Sequence, residues 1–258
     1  VNYSKKGKDS SANNYRFALN SLQRSMGEDN VSFSDISTKS IAKWIKSLEN
    51  TSNSKNKYPL LIKKIFNDGL IEFNDYDRNI FLIKHNPFMK NTIPRPEITK
   101  KQSLSKDVIL DIFSFDTSLS LKEQKVPMAI DVALMVFHLA GINTADLYTL
   151  EKSNLKKGKL CYNRLKTKDR RGDKSYIEIT VPIEIKHLLE KYKGKDRLFN
   201  FSERYYTHQQ FNKSVNQGLE DISKKLGIDK VTSYAFRHSW ATIAQNKCNA
   251  GTDEVAFC

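Results

Sequence analysis

The stretch TSYAFRHSWAT, residues 232–242, decides how this 258-residue sequence is interpreted. Placed on a helix, it brings Phe236, Trp240 and Ile243 to positions i, i+4 and i+7, which predicts a face that packs against a hydrophobic core. Arg237 lies off that face. The segment therefore predicts an amphipathic helix that presents one cationic side chain away from its core contacts.

Arg237 is the candidate functional residue of this helix. Tyr234 precedes it by one turn and His238 is its neighbour. Thr232 or Ser233 can cap the helix, so that the positive helix N-terminus lies one turn from the guanidinium. This arrangement suits a phosphate, which accepts two hydrogen bonds from the arginine fork. A surface arginine on an amphipathic helix is the alternative that this stretch alone leaves open.

The charge of the whole chain indicates a polyanionic partner. Lys and Arg number 43 against 29 Asp and Glu, which gives a formal net charge of +14 and a pI near 9.5. Such a cation attracts nucleic acid because binding releases condensed counterions. An anionic membrane surface and a merely solubilising charge are the alternatives. A hydrophobic fraction of 39% is typical of a globular protein.

The three cysteines show no C-x-x-C spacing, and so predict neither a disulfide framework nor a zinc site. No apolar run approaches the roughly 20 residues of a membrane helix, and the first residues lack the apolar core of a signal peptide. These features predict a cytoplasmic protein with free thiols.

The first part of the chain reads as a small helical bundle. Apolar stripes predict helices at 10–26, 37–48 and 56–69, the last with Gly69 as its C-cap. Three prolines within residues 87–96 and several lysines then indicate a basic linker. We therefore predict a helical DNA-binding domain at 1–86, a linker at 87–102 and a second domain at 103–258.

The second domain begins with helices and then changes period. We predict helices at 106–115 and 127–140, with Gly141 ending the second and Thr144 capping the next turn. Further helices are predicted at 183–192, 202–225 and 233–247. Between them, alternating patterns at 158–167 and 175–182 predict two strands of a hairpin.

The predicted hairpin is strongly cationic. Arg164 and Lys166 are two residues apart and would share one strand face. The turn beyond them carries Lys168, Arg170 and Arg171. Such a hairpin suits contact with a DNA backbone or groove, although a solvated charged face is the alternative.

Three motifs together resemble the tyrosine recombinase, or phage integrase, family, and most of all its branch from conjugative and mobilisable elements. They are LAGINTADLYTLEKSNL at 139–155, LCYNRLKT at 160–167 and TSYAFRHSWAT at 232–242. The resemblance implies a mainly α fold, with a SAM-like core-binding helical bundle and a mostly helical catalytic domain that carries a small antiparallel sheet.

The resemblance also implies an activity, which is site-specific recombination during integration or excision of a mobile element. In that family the two domains clamp duplex DNA, and a tyrosine forms a 3′-phosphotyrosyl bond without metal or other cofactor. Two arginines neutralise the phosphate, and a hairpin lysine protonates the leaving oxygen, so positioning and charge stabilisation supply the catalysis. The implied partners are double-stranded DNA and further copies in a tetramer on DNA, with no membrane or small-molecule substrate, in a bacterial cytosol near the nucleoid.

Some family residues carry over directly. Arg237 matches the second arginine, His238 the histidine that follows it, and Lys166 the hairpin lysine. Tyr234 stands where the family usually has a histidine. Its phenol can donate a hydrogen bond to phosphate, but it is a poorer proton acceptor at neutral pH.

The first arginine of the family is replaced. Asn143 stands at its position, with Asp146 at the usual acidic position. An asparagine can donate to a phosphoryl oxygen but carries no charge. We therefore expect Arg164 to supply the missing cation beside Lys166.

The nucleophile is expected some tens of residues beyond Arg237, whereas only 21 residues follow it and the last tyrosine of the sequence is Tyr234. We therefore expect this sequence to be a fragment that binds DNA without cleaving it. A non-cleaving DNA-binding protein derived from the same fold is the alternative, and an RNA-binding protein is a third reading. The predicted DNA contacts are Lys55, Lys57, Lys100, Lys101, Lys168, Arg170 and Arg171.

Overall fold

The computed structural model describes residues 9–48, 54–96, 103–119, 125–169 and 171–251. Contacts divide the chain into two compact units, residues 1–99 and 100–258. The predicted fold class is confirmed, because the chain is mainly helical with a small antiparallel sheet. Within the described ranges, no helix is both long enough and apolar enough to span a membrane.

The helices of the first unit are α1 (Asp9–Met26), α2 (Thr38–Ser47) and α3 (Ser54–Phe73). The helices of the second unit are α4 (Lys106–Phe113), α5 (Lys125–His138), α6 (Thr144–Thr149), α7 (Lys186–Lys191), α8 (Phe201–Arg204), α9 (His208–Leu226) and α10 (Ser233–Lys247). The strands are β1 (Leu155–Lys156), β2 (Lys159–Asn163) and β3 (Tyr176–Thr180).

The core of the first unit forms around α2. Ser37 caps this helix through a capping box with Ser40, and Trp44 is fully buried on the predicted face. The indole Nε1 of Trp44 donates to the Ser21 hydroxyl of α1 at 3.2 Å, so the only polar atom of that ring is satisfied. Burial of the large indole against α1 accounts for the position of α2.

Gly69 has a different role from the predicted one. The helix α3 continues past it to Phe73, so the predicted C-cap is wrong. A Cβ at position 69 would lie 2.5 Å from the Phe33 ring, and this ring packs edge-on against Phe66 with centroids 5.2 Å apart. Glycine is therefore required here because an aromatic ring occupies the space of a side chain.

The core of the second unit forms around α5, which is buried along almost its whole length. The helices α9 and α10 both pack against it. Phe236 of α10 is fully buried and stacks on Phe113 of α4, with ring centroids 5.6 Å apart. Trp240, which was predicted on the same core face, is only half-buried.

The three strands form an antiparallel sheet in the order β1-β2-β3. Leu160 and Tyr162 of β2 are buried opposite Ile179 and Ile177 of β3, as the alternating pattern predicts. β2 nevertheless ends at Asn163, four residues before the end of the predicted strand.

The predicted strand face shared by Arg164 and Lys166 is therefore wrong. Residues 165–169 form a turn, in which the Lys168 amide donates to the Arg164 carbonyl at 2.9 Å. Arg164 follows the last strand residue and is half-buried, whereas Lys166 is exposed in the turn. The two cations are consequently held by different local structures.

The predicted single helix at 202–225 is divided into α8 and α9. Thr207 interrupts it, because its hydroxyl caps α9 by accepting from the Gln210 amide at 3.2 Å. The predicted helix at 183–192 is present as a 3₁₀ turn, Ile183–Ile185, followed by α7.

Candidate phosphate-binding site

Arg237 lies in the second turn of α10, beside the turn that follows α5. Its Nη1 donates to the carbonyl oxygen of Gly141. Gly141 has a φ of +71°, and a Cβ there would lie 2.8 Å from Cγ of Arg237. A glycine is needed at this position both for the left-handed backbone and for the approach of α10. The stem and one nitrogen of the guanidinium are thus fixed by backbone.

The surroundings of Arg237 are short of water and rich in positive charge. Its pKa is lowered, first by burial and then by the positive charge of Arg164, while Tyr234, Tyr162 and Asp146 act in the opposite direction. Arg164, at the end of β2, therefore acts electrostatically on the same space as Arg237. Two partly desolvated cations close together favour a bound anion.

Asp146 connects the hairpin to the helix α6. Its carboxylate is buried, and Oδ1 accepts a hydrogen bond from the Leu165 amide at 2.9 Å. Burial raises the pKa of Asp146, whereas that hydrogen bond and the charges of Arg164 and Arg237 lower it. Because Leu165 directly follows Arg164, the carboxylate also fixes where Arg164 leaves the strand. The sequence placed Asp146 at the acidic position of the 139–155 motif but gave it no role in the site.

Asn143 is part of the site and also a structural cap. Its Oδ1 accepts from the Ala145 amide at 2.9 Å at the N-terminus of α6. The predicted cap, Thr144, is wrong, since its hydroxyl instead donates to Oδ1 of Asn212 at 2.9 Å. Asn143 therefore holds the start of α6 as well as lining the site.

The start of α10 is held from α9. Oδ1 of Asn216 accepts from the Ser233 amide at 2.9 Å, and Oδ1 of Asn212 accepts from the Ser233 hydroxyl at 3.2 Å. Thr232 is the N-cap residue of α10, as predicted, but its side chain makes no capping hydrogen bond. Sequence reasoning missed both asparagines because their partners lie on other segments of the chain.

These groups surround a pocket of about 220 Å³ next to Arg237. Val136 and Ile142 supply apolar lining, and the other lining residues are polar. The polar lining residues are Asn143, Thr144, Asn212, Asn216, Thr232, Ser233, Tyr234 and Arg237.

Tyr234 and His238 form a pair on the exposed side of α10. Their rings meet edge to face with centroids 4.5 Å apart, and Tyr234 is 55% exposed. Tyr234 lines the same pocket as Arg237, so its phenol is available to a ligand there.

The hairpin turn borders a second, larger cleft of about 920 Å³. Its four basic lining residues are Lys168 and Arg171 together with Lys174 and Arg197, which the sequence did not single out, and its three acidic ones are Asp146, Glu151 and Asp169. Arg171 pairs with Asp173 at 2.8 Å. The Arg197 guanidinium lies 5.3 Å from the centre of the Tyr148 ring and donates to the Tyr148 carbonyl at 3.0 Å. We call this surface the basic cleft.

The remaining predicted DNA contacts lie elsewhere. Lys55 and Lys57 are in the first turn of α3 in the first unit, where Nζ of Lys57 donates to Oδ1 of Asn14 at 2.8 Å. Lys100, Lys101 and Arg170 lie outside the described residues. Among the residues that are described, no cluster of three or more His, Cys, Asp or Glu side chains could hold a metal ion.

No family model matches the sequence, and no curated protein matches it at a significant level. Solved structures do match. A lambda integrase tetramer bound to a Holliday junction has 19% identity and a TM-score of 0.68, covering 93% of this chain and 68% of that chain. The Tn1549 transposon integrase in complex with transposon right end DNA has 13% identity and a TM-score of 0.67, with coverage of 94% and 84%.

The XerH site-specific recombinase bound to its difH substrate is also similar, with 14% identity and a TM-score of 0.65 over 93% of this chain and 71% of that chain. All three are tyrosine recombinases. The chain therefore has the fold of these enzymes, as the sequence motifs predicted.

Proposed function

We propose that this protein is a site-specific DNA recombinase that cuts and rejoins duplex DNA through a 3′-phosphotyrosyl intermediate. One observation carries the proposal, which is the cluster of Arg237, Arg164 and Asp146 within the tyrosine recombinase fold. Two cations are needed to neutralise a phosphate while it is attacked, and a partly buried pair does so more strongly than a solvated one.

Arg164 takes the part of the arginine that Asn143 replaces. Arg164 acts on Arg237 and Asp146 electrostatically, and Asp146 accepts a hydrogen bond from the amide of the residue directly after Arg164. Lys166, in the exposed turn two residues later, protonates the leaving oxygen once DNA has bound, and His238 and Tyr234 provide hydrogen bonds to the phosphate. No tyrosine among the described residues is assigned as the nucleophile.

The proposed substrate is double-stranded DNA, bound by several copies that assemble into a tetramer. A net charge of +14, the basic cleft and the cations at the start of α3 support DNA binding. The shared fold with a lambda integrase tetramer on a Holliday junction supports the assembly. Activity on DNA also accounts for the proposed place of action, next to the nucleoid in the cytoplasm.

The second candidate function is that of a DNA-binding protein which does not cleave. Asn143 favours it, since this residue carries no charge and is used to cap α6. On this proposal the same phosphate site serves only to hold the DNA backbone.

The experiment that separates the two uses the whole product of the gene and a nicked duplex that traps covalent intermediates. A protein–DNA adduct that survives denaturing electrophoresis supports the recombinase, and its loss in Arg164→Ala with DNA binding kept supports the role of Arg164. DNA binding without any adduct supports the non-cleaving protein. Cleavage by Arg164→Ala at the rate of the parent protein would rule out Arg164 as the replacement cation.

A further inference from the structure

The pocket beside Arg237 contains three asparagine side chains whose oxygens are all in use. Oδ1 of Asn143 accepts from a backbone amide, Oδ1 of Asn216 accepts from another, and Oδ1 of Asn212 accepts from two hydroxyls. A backbone N–H can only donate, so the oxygen of Asn143 and of Asn216 is identified by its partner. The nitrogen of each side-chain amide points away from the hydrogen bonds that its oxygen accepts.

The three side-chain nitrogens are free to bind something else. None of them donates a hydrogen bond to a described residue, and none is a fully buried atom without a partner. Each nitrogen therefore keeps some exposure to solvent, on a residue that lines the pocket. Three amide groups supply up to six N–H donors, and the pocket also contains the phenol of Tyr234 and the Arg237 guanidinium.

The charge of the pocket matches a single phosphodiester. Arg237 is the one ionised side chain among the described residues that line it, and burial lowers the pKa of this arginine. An anion bound in the pocket would favour the charged guanidinium and so offset the effect of burial on its pKa. Donors without a competing negative charge, next to one cation, suit an oxygen that carries one negative charge.

We propose that Asn212 and Asn216, together with Asn143, bind a non-bridging oxygen of the DNA phosphate that Arg237 holds. Arg164 acts on Arg237 electrostatically but does not line the pocket, so it is assigned to the remaining oxygen. The inference rests on the proposed function in so far as the ligand is DNA. It adds two phosphate-binding residues from α9 to the site.

The test replaces each α9 asparagine by aspartate. Asn216→Asp keeps an oxygen that accepts from the Ser233 amide, and Asn212→Asp keeps one that accepts from both hydroxyls, so the structural bonds remain. Both variants lose the N–H donors and place a negative charge against the phosphate. Asn246→Asp is the matched control, because this exposed asparagine of α10 lies nine residues after Arg237.

Affinity for a duplex of about 30 base pairs is measured with the full chain, and thermal unfolding is measured in parallel. We expect Asn212→Asp and Asn216→Asp each to weaken binding about tenfold, as for a lost hydrogen bond to a charged group, with unchanged unfolding. Asn246→Asp should have a much smaller effect. In an Arg237→Ala background the loss caused by Asn216→Asp should shrink to that of the control, because the two residues share one phosphate.

The outcomes separate this inference from the proposed function. A parent protein that does not bind the duplex overturns both. A parent that binds, with Asn216→Asp and Asn246→Asp equal in effect, overturns the inference alone. If Asn216→Asp weakens binding as much in the Arg237→Ala background as in the parent, the inference is also overturned, since the amides would then bind a different group. If Asn212→Asp or Asn216→Asp unfolds, shifts of the asparagine side-chain NH₂ signals in NMR spectra of the parent on addition of the duplex decide the question, and unshifted signals count against it.

Discussion

Arg237 and Lys166 belong to the same proposed site, yet the protein holds them in opposite ways. Arg237 is half-buried, bonded to the Gly141 carbonyl and surrounded by side chains that are themselves fixed. Lys166 is exposed on a turn that follows β2. The site thus combines charges that are held in place around Arg237 and Asp146, which we call the wall, and the exposed cations Lys166 and Lys168, which we call the rim. Charges held in place stabilise developing charge without reorganisation, whereas exposed cations contribute attraction that salt can screen.

The largest effect should come from removing the anchor behind the wall. Phe236→Ala deletes a fully buried ring that stacks on Phe113, so we expect the free energy of unfolding to fall by about 3–5 kcal/mol. Urea unfolding followed by circular dichroism measures it. Trp240→Ala, at a half-buried position on the same helix, should cost clearly less. Equal losses would show that α10 is not anchored mainly through Phe236.

The next effect isolates the contact between the turn after α5 and Arg237. Gly141→Ala adds a Cβ that would lie 2.8 Å from Arg237 Cγ, at a φ of +71°. Gly158→Ala adds a Cβ at a φ of +76° with nothing within 4 Å, so it reports backbone strain alone. In denaturant titrations we expect the free energy of unfolding to fall by about 1 kcal/mol in Gly158→Ala and by about 2–3 kcal/mol in Gly141→Ala. Equal losses would show that the contact with Arg237 adds nothing to the backbone strain.

A pH titration tests the buried carboxylate of the wall. Burial raises the pKa of Asp146 above its ordinary value of 3.8, so the folded protein keeps this proton to higher pH than the unfolded chain does. The stability contributed by the protonated carboxyl is complete below that ordinary value and is lost as pH rises through the raised pKa. Asp146→Asn keeps an acceptor for the Leu165 amide without titrating.

We therefore expect the stability of Asp146→Asn, relative to the parent, to increase as pH rises from about 4 towards neutrality. Denaturant midpoints at a series of pH values provide the measurement. Parallel profiles for the two proteins would mean that Asp146 ionises in the folded state as it does in the unfolded chain.

The smallest effect on stability should come from the rim. Lys168→Ala removes an exposed cation from the basic cleft, so its free energy of unfolding should stay within about 0.5 kcal/mol of the parent. The slope of log affinity for duplex DNA against log salt should become shallower by about 0.9, the value for one lost phosphate contact. Lys186→Ala, at an exposed position at the start of α7, is the matched control and should leave the slope unchanged.

The difference between wall and rim also explains what the sequence could predict. Periodicity located α2, α5 and α10 because burying one apolar stripe determines a helix. It failed at 202–225, where the pattern of apolar residues continues but the Thr207 hydroxyl offers the backbone a competing bond and starts a new helix. It failed again at Gly69, since only the folded chain shows the Phe33 ring that fills the missing side chain.

The site was predictable where a motif names the residue and not where distant segments meet. Arg237 was proposed from its own stretch and Arg164 from the hairpin, and the structure brings them close enough to interact electrostatically. The prediction that Arg164 and Lys166 share a strand face failed because β2 ends at Asn163. Just beyond that end, the Leu165 amide donates to Asp146, a residue from another segment of the chain. Asn212 and Asn216 bond to residues 17 to 68 positions away, and nothing in their own neighbourhood distinguishes them from surface asparagines.

The cap formed by Asn143 limits which side chains position 143 can accept. The oxygen of its side chain has become part of the architecture of α6, and arginine has no acceptor with which to replace that bond. Mutation of Asn143 to arginine would lose a helix cap worth about 1 kcal/mol and would bring a third cation near Arg164 and Arg237. Asn143→Arg would therefore carry two separate costs, a lost cap at the start of α6 and added repulsion in the space that Arg164 and Arg237 share.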